Sequence, residues 1–215
     1  MTLYIMYIRK NNVIPIKNSN IMKKILTFAV MALLTLPVLA GKAPKNWNFT
    51  LNDDGECIVE KVIPTGKNAT DALKAVKVAV NKQTFENRSV KSEEAGSNIV
   101  YELTKNTKMR YSPFAGNFNE SMSFKMEVTY ADGKITVRLS DLTLINKYEG
   151  FGKSQNADSF AGKIAEYEEA EQTAVSGKGK AKKEAADLME DVNESFNNCQ
   201  EEIDKLFAAL QKALK

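Results

Sequence analysis

Histidine is absent from the 215 residues. Without an imidazole there is no Ser-His-Asp or Cys-His nucleophile, no imidazole general base, and no zinc or iron site built on histidine. Cysteine is nearly absent. Cys57 and Cys199 are the only two, too distant in sequence for a CxxC redox pair and too few for a thiolate metal site. A glycine-rich phosphate loop is also missing, since Gly150-Phe151-Gly152 lacks the third glycine and a strand-to-helix setting. No cofactor and no metal are therefore expected, and no catalytic residue can be named. Carboxylate pairs and Ser-Lys nucleophiles survive these exclusions because they need only spatial proximity.

A long hydrophobic run is also missing, and the one apolar stretch is short. Residues 25–36 are uncharged and mostly apolar, 12 residues against the ~20 that span a bilayer. Lys23 and Lys24 precede them. Pro37 interrupts the run, and Val38-Leu39-Ala40 is a small-residue exit suited to a signal peptidase. The pattern predicts a cleavable signal peptide starting at Met22 and a mature chain from about Gly41, periplasmic or secreted, with no permanent membrane span. No Cys follows the exit, which argues against a lipid anchor. Residues 1–21 read as an upstream extension.

Removing residues 1–40 changes the charge. They hold Arg9, Lys10, Lys17, Lys23, Lys24 and no acid, so of 30 basic and 27 acidic residues the mature chain keeps 25 and 27. The basic character belongs to the leader, and neither nucleic acid nor an anionic membrane is expected as a partner. The two cysteines enter an oxidising compartment. They either pair, closing a loop of about 140 residues, or stay buried as free thiols.

Along the mature chain, residues 47–51 alternate like a short strand. The acids that follow, Asp53, Asp54 and Glu56, do not fit an EF-hand loop and read as an exposed turn. Residues 57–63 read as a strand stopped by Pro64. Asn68 is an N-cap, with Asp71 in the first helical turn. Ala69, Ala72, Leu73, Val76 and Val80 form the buried stripe, and Lys74, Lys77 and Lys82 the solvated face. Residues 89–103 supply one or two strands.

Met122, Phe124, Met126, Val128 and Tyr130 then alternate with polar residues up to Asp132-Gly133, a type I′ turn pair, and Ile135, Val137 and Leu139 continue the alternation. The two-residue turn sets Tyr130 opposite Ile135, Val128 opposite Val137 and Met126 opposite Leu139 on one face. Glu127 faces Arg138 and Thr129 faces Thr136 on the other.

The aromatic segment 108–118, with Met109, Tyr111, Phe114 and Phe118, is either a hairpin connection folded over the sheet or a recognition loop. Residues 146–158 read as a polar connector. Phe160, Ile164 and Tyr167 mark a short helix before the break at residues 176–180. A long helix follows over residues 182–214. In it Met189, Val192, Phe196, Cys199, Ile203, Leu206, Leu210 and Ala213 step alternately by three and four. That seam either docks on the chain's own sheet or forms a self-associating coiled coil. The domain reading is residues 1–40 extension and signal, 41–146 sheet domain, 147–181 linker with a short helix, and 182–215 long helix. Cutting the chain after Lys180 is expected to leave a binding module folded and to dissolve an oligomer.

With Asp132-Gly133-Lys134, Thr136-Val137-Arg138-Leu139 and Leu142-Thr143, the chain over residues 56–144 resembles a domain of unknown function with a TBP-like fold, found in exported proteins of gut anaerobes. The resemblance implies an α+β fold, a curved antiparallel sheet with helices on one face, and no known activity or functional residues. The expected function is a non-enzymatic binding or interaction module of the cell envelope. It would contact an envelope protein or small ligand through the open sheet face or the aromatic segment. The alternatives are a structural homo-oligomer built on the long helix and a carboxylate-based hydrolase of envelope sugars.

Overall fold

The computed structural model describes residues 45, 47–112, 116–149 and 153–215, together with a two-residue ladder pairing Ile8–Arg9 with Asn12–Val13. The chain divides into Met1–Lys42 and Ala43–Lys215. Every buried core residue of the described chain lies in the second unit, so that unit carries a complete core of its own.

Ala43–Lys215 is an α+β unit. Its strands are β1 (Val59–Pro64), β2 (Asn87–Glu94), β3 (Asn98–Ser112), β4 (Gly116–Ala131), β5 (Lys134–Glu149) and β6 (Lys153–Ser159). Its helices are α1 (Ala69–Asn81), α2 (Phe160–Ser176) and α3 (Gly179–Leu214). The sheet is antiparallel throughout, in the order β1-β5-β4-β3-β2, and β6 also pairs with β5. β1 and β6 lie end to end along the same strand: β1 meets residues 134–139 and β6 meets residues 143–149.

The β4–β5 hairpin has the register that its turn dictates, with Tyr130 opposite Ile135, Val128 opposite Val137 and Glu127 opposite Arg138. Asp132 (φ 50°) and Gly133 (φ 71°) are both left-handed, as a type I′ turn requires. At the head of α1 the Asn68 side chain accepts from the Asp71 backbone N–H at 3.0 Å, and Leu73, Val76 and Val80 are buried. Residues 89–103 contain parts of two strands, β2 and β3, joined through Gly96 at φ 78°.

Two expectations need correction. Residues 47–51 form no strand. Trp47 and Phe49 are buried while Asn48 and Thr50 are exposed, so the alternation records which side packs inward, and the only sheet-like contact is a bridge from Leu51 to Cys57. The connector at 146–158 is instead the β5–β6 hairpin, in which Asn146 faces Asn156 and Lys147 faces Gln155. An edge strand with both faces wet has no apolar alternation to read.

The helices cover one face of the sheet. The opposite face carries Glu102, Glu127, Thr129, Thr136 and Arg138 and is polar, the ordinary division of an antiparallel sheet. α3, about 54 Å long at 1.5 Å per residue, packs against α1, α2, β1 and β3. Its seam residues Met189, Val192, Phe196, Cys199, Ile203, Leu206 and Leu210 are all buried within the single chain. They share one hydrophobic core with the sheet, so the segments separated in the sequence as sheet, linker and long helix are not independent layers. The expectation that a cut after Lys180 spares the sheet loses its basis here.

An aromatic cluster ties the leading segment to both helices. Phe160 stacks on Phe196 at 4.6 Å, and Trp47 and Phe49 meet Phe196 edge-on at 4.9 and 5.2 Å. Trp47 Nε1 donates to the buried Asn193 Oδ1 at 2.8 Å, so the indole N–H is satisfied inside the core.

Candidate functional site: a polar row under the long helix

On the covered face, directly opposed residues form apolar rows. Ile99, Val128 and Val137 make one, and Tyr101, Met126 and Leu139 the next. All six are buried. Two bulges follow. One lies between Asn106 and Lys108, where Thr107 is the extra residue. The other is where Ser123 and Lys125 face Thr143 and Ser140, with Asp141 at φ 54°. Each bulge shifts the side-chain phase by one, so that Leu142 and Leu144 rejoin the core and Lys108 turns inward.

Beyond Met122 and Leu144 the face changes character. The next row is Lys108, Glu120 and Asn146, and the row after it sets Phe118 opposite Tyr148. These five residues line a cleft of about 500 Å³. Its roof is Lys163 of α2 with Leu188, Asp191, Glu194 and Ser195 of α3. A polar row with the buried Glu120 at its centre, in place of further core, is the informative departure, since burying charge costs stability unless it is paired or hydrogen-bonded.

The two lysines are paired, and the buried carboxylate is hydrogen-bonded. Glu120 is 3% exposed and accepts from Ser195 Oγ at 2.6 Å and Thr107 Oγ1 at 3.1 Å. Lys108 forms an ion pair with Glu194. Lys163 lies 2.9 Å from Glu166 and 3.5 Å from Asp158. Burial works against its charge, but the hydrogen bond to Glu166 and the charges of Asp158 and Glu166 outweigh burial and hold its pKa above the ordinary lysine value. Asn146 Oδ1 is buried and has no hydrogen-bond partner among the described residues. No group of three or more Cys, Asp or Glu residues among the described ones is placed to hold a metal.

Of the residues singled out in the aromatic segment, Phe118 is half-buried in the cleft. Met109 follows the bulge on the other side of its strand from Lys108 and is 74% exposed. Tyr111 is paired with Asn117 in the β3–β4 ladder, and Phe114 lies outside the described residues. The segment is thus the end of a hairpin whose strands reach Ser112 and restart at Gly116. Glu120, Asn146, Tyr148, Lys163 and Ser195 were not singled out in the sequence, because only the bulged register brings them together.

Cys57 and Cys199 are separate buried thiols. Burial pushes Cys57 up to about 11. Cys199 is raised well above its ordinary value by burial and by the neighbouring Glu120 carboxylate, with a hydrogen bond involving Thr107 acting in the opposite direction. At pH 8 the Cys57 thiolate is about one part in a thousand, too little for fast disulfide exchange. Ellman's reagent should therefore leave both thiols of the native protein unmodified over minutes and titrate two per chain in guanidinium. Rapid native labelling at either site would contradict this burial.

No family model matches the chain, and no curated protein does. Among solved structures it is similar to a TBP-like protein from Parabacteroides distasonis, at 14% identity and a TM-score of 0.44, with 74% of this chain and 96% of that one covered. It is also similar to a DUF4468 family protein from Bacteroides ovatus, at 13% identity and a TM-score of 0.48, with 77% and 90% covered. Both names describe a fold or a family without an activity.

Proposed function

We propose that this chain is an exported, non-enzymatic binding module of the cell envelope and that the cleft between the β3–β5 strand ends and α3 is its ligand site. The observation that carries the reading is the change from apolar rows to Lys108, Glu120 and Asn146 at the point where the cleft opens. Apolar walls with a few convergent polar groups are the usual make-up of a small-molecule site. Export rests on the signal pattern of residues 22–40. A role as a coiled-coil oligomeriser is disfavoured, because the seam of α3 is buried against its own sheet.

Protein recovered from the envelope fraction should begin near Gly41 and enhance the fluorescence of the neutral dye N-phenyl-1-naphthylamine. Leu188→Glu, in the cleft wall, should abolish the enhancement. Val175→Glu, at a site 69% exposed, should not. Equal signals from the two variants, or a cytoplasmic chain retaining residues 1–40, would sink the reading.

A further inference from the structure

We infer that the cleft takes a small primary ammonium ion with an apolar body, its cation drawn to Glu120 and Asp191 and its body laid on Phe118 and Leu188. The inference rests on the cleft being the ligand site. It is carried by a buried carboxylate that the chain leaves without a counter-ion.

Glu120 is 3% exposed and lines the cleft. A carboxylate has room for about four hydrogen bonds. This one receives a full bond from Ser195 Oγ at 2.6 Å. Thr107 has a single hydroxyl proton, and its Oγ1 lies 3.1 Å from both Glu120 Oε1 and the Glu120 carbonyl oxygen. That second bond is therefore shared. Among the described residues no lysine or arginine forms an ion pair with Glu120. A buried charge without its opposite is a costly arrangement, and a cation entering the cleft would relieve it.

The remaining charges of the cleft fix the sign of the ligand. Lys108 is paired with Glu194, and Lys163 with Glu166 and Asp158. An anion would have to displace one of these carboxylates to reach a lysine. Asp191, on the α3 side of the same cleft, is exposed and has no ion-pair partner among the described residues. The charge that pairing leaves over is negative, on the sheet and on the helix above it.

The walls fix the rest. Phe118, Leu144 and Leu188 place apolar surface beside that charge, in a cleft of about 500 Å³, the size of a small-molecule site. An aromatic ring also attracts a nearby cation. A primary ammonium brings three donors, which the open lone pairs of Glu120 can accept. A quaternary ammonium brings none and would leave them unmet.

The test titrates isotope-labelled Ala43–Lys215 with three probes of similar shape, phenethylamine, phenethyl alcohol and phenylpropionate, and follows amide shifts. The amine should shift the Phe118, Glu120 and Asp191 amides with a Kd of roughly 1 mM. It should bind about tenfold more tightly than the alcohol, the scale of a hydrogen bond to a charged group, and phenylpropionate should leave the amides in place. Glu120→Gln should bring the amine down to the affinity of the alcohol and leave the alcohol unchanged, a split that a merely structural role would not produce. If that variant does not fold, Asp191→Asn, at an exposed position, should weaken the amine alone. Equal affinity for amine and alcohol, preference for phenylpropionate, or unchanged amine affinity in the folded variant overturns the ammonium class and leaves the cleft as a binding site. No cleft shift with any probe overturns both.

Discussion

A chain ending at Lys180 is expected not to fold. α3 contributes Met189, Phe196, Ile203, Leu206, Phe207 and Leu210 to the core, all buried. At about 1.5–3 kcal/mol for each large apolar side chain removed from water, those six represent roughly 10 kcal/mol or more, against a typical total stability of about 5–15 kcal/mol. The truncated sheet would also expose Tyr101, Leu103, Met122 and Leu144 as one apolar surface, which invites aggregation. Near-UV circular dichroism of the truncated chain should be featureless and its thermal transition absent. A cooperative transition close to that of the parent would mean that the sheet and α1 suffice, and would remove α3 from the core.

The largest single-residue effect is expected for Phe196→Ala. The ring is 0% exposed and touches Trp47, Phe49 and Phe160, so its removal opens a cavity where the leading segment, α2 and α3 meet. Phe→Ala in a core costs about 3–5 kcal/mol, a fall in Tm of roughly 10 °C for a unit of this size. Trp47 fluorescence should follow the same transition, because the indole packs on the lost ring. A shift of only a degree or two would show that the three helical and leading segments pack independently of one another.

Periodicity made most of the architecture readable in advance. The Asp132-Gly133 turn fixed a register, Asn68 and its stripe fixed α1, and the three-four steps of α3 fixed the face that docks. What escaped reading lacked a repeating contrast between wet and dry. β6 is exposed on both sides over residues 154–157 and has no period to detect. Residues 47–51 had a period without a ladder, because their inward side packs on aromatic rings rather than on a neighbouring strand. The cleft was hidden by its bulges. Inward residues run odd through Leu139 and even from Leu142, and that slip is visible in the sequence. The compensating slip at Thr107 lies among polar residues and leaves no mark. Without both, Lys108, Glu120 and Asn146 do not fall into one row.

The aromatic cluster also bears on the order of events during synthesis. Trp47 and Phe49 are among the first residues of the Ala43–Lys215 unit, yet their partners Phe196 and Asn193 come near its end. Thr65, just after β1, donates to the carbonyl of Leu214 at 2.8 Å. A growing chain can form the β4–β5 hairpin early, since that contact is local. It cannot close its core until α3 has been made. Until then the segments outside that hairpin stay open, the state in which a polypeptide can still be threaded through a narrow pore.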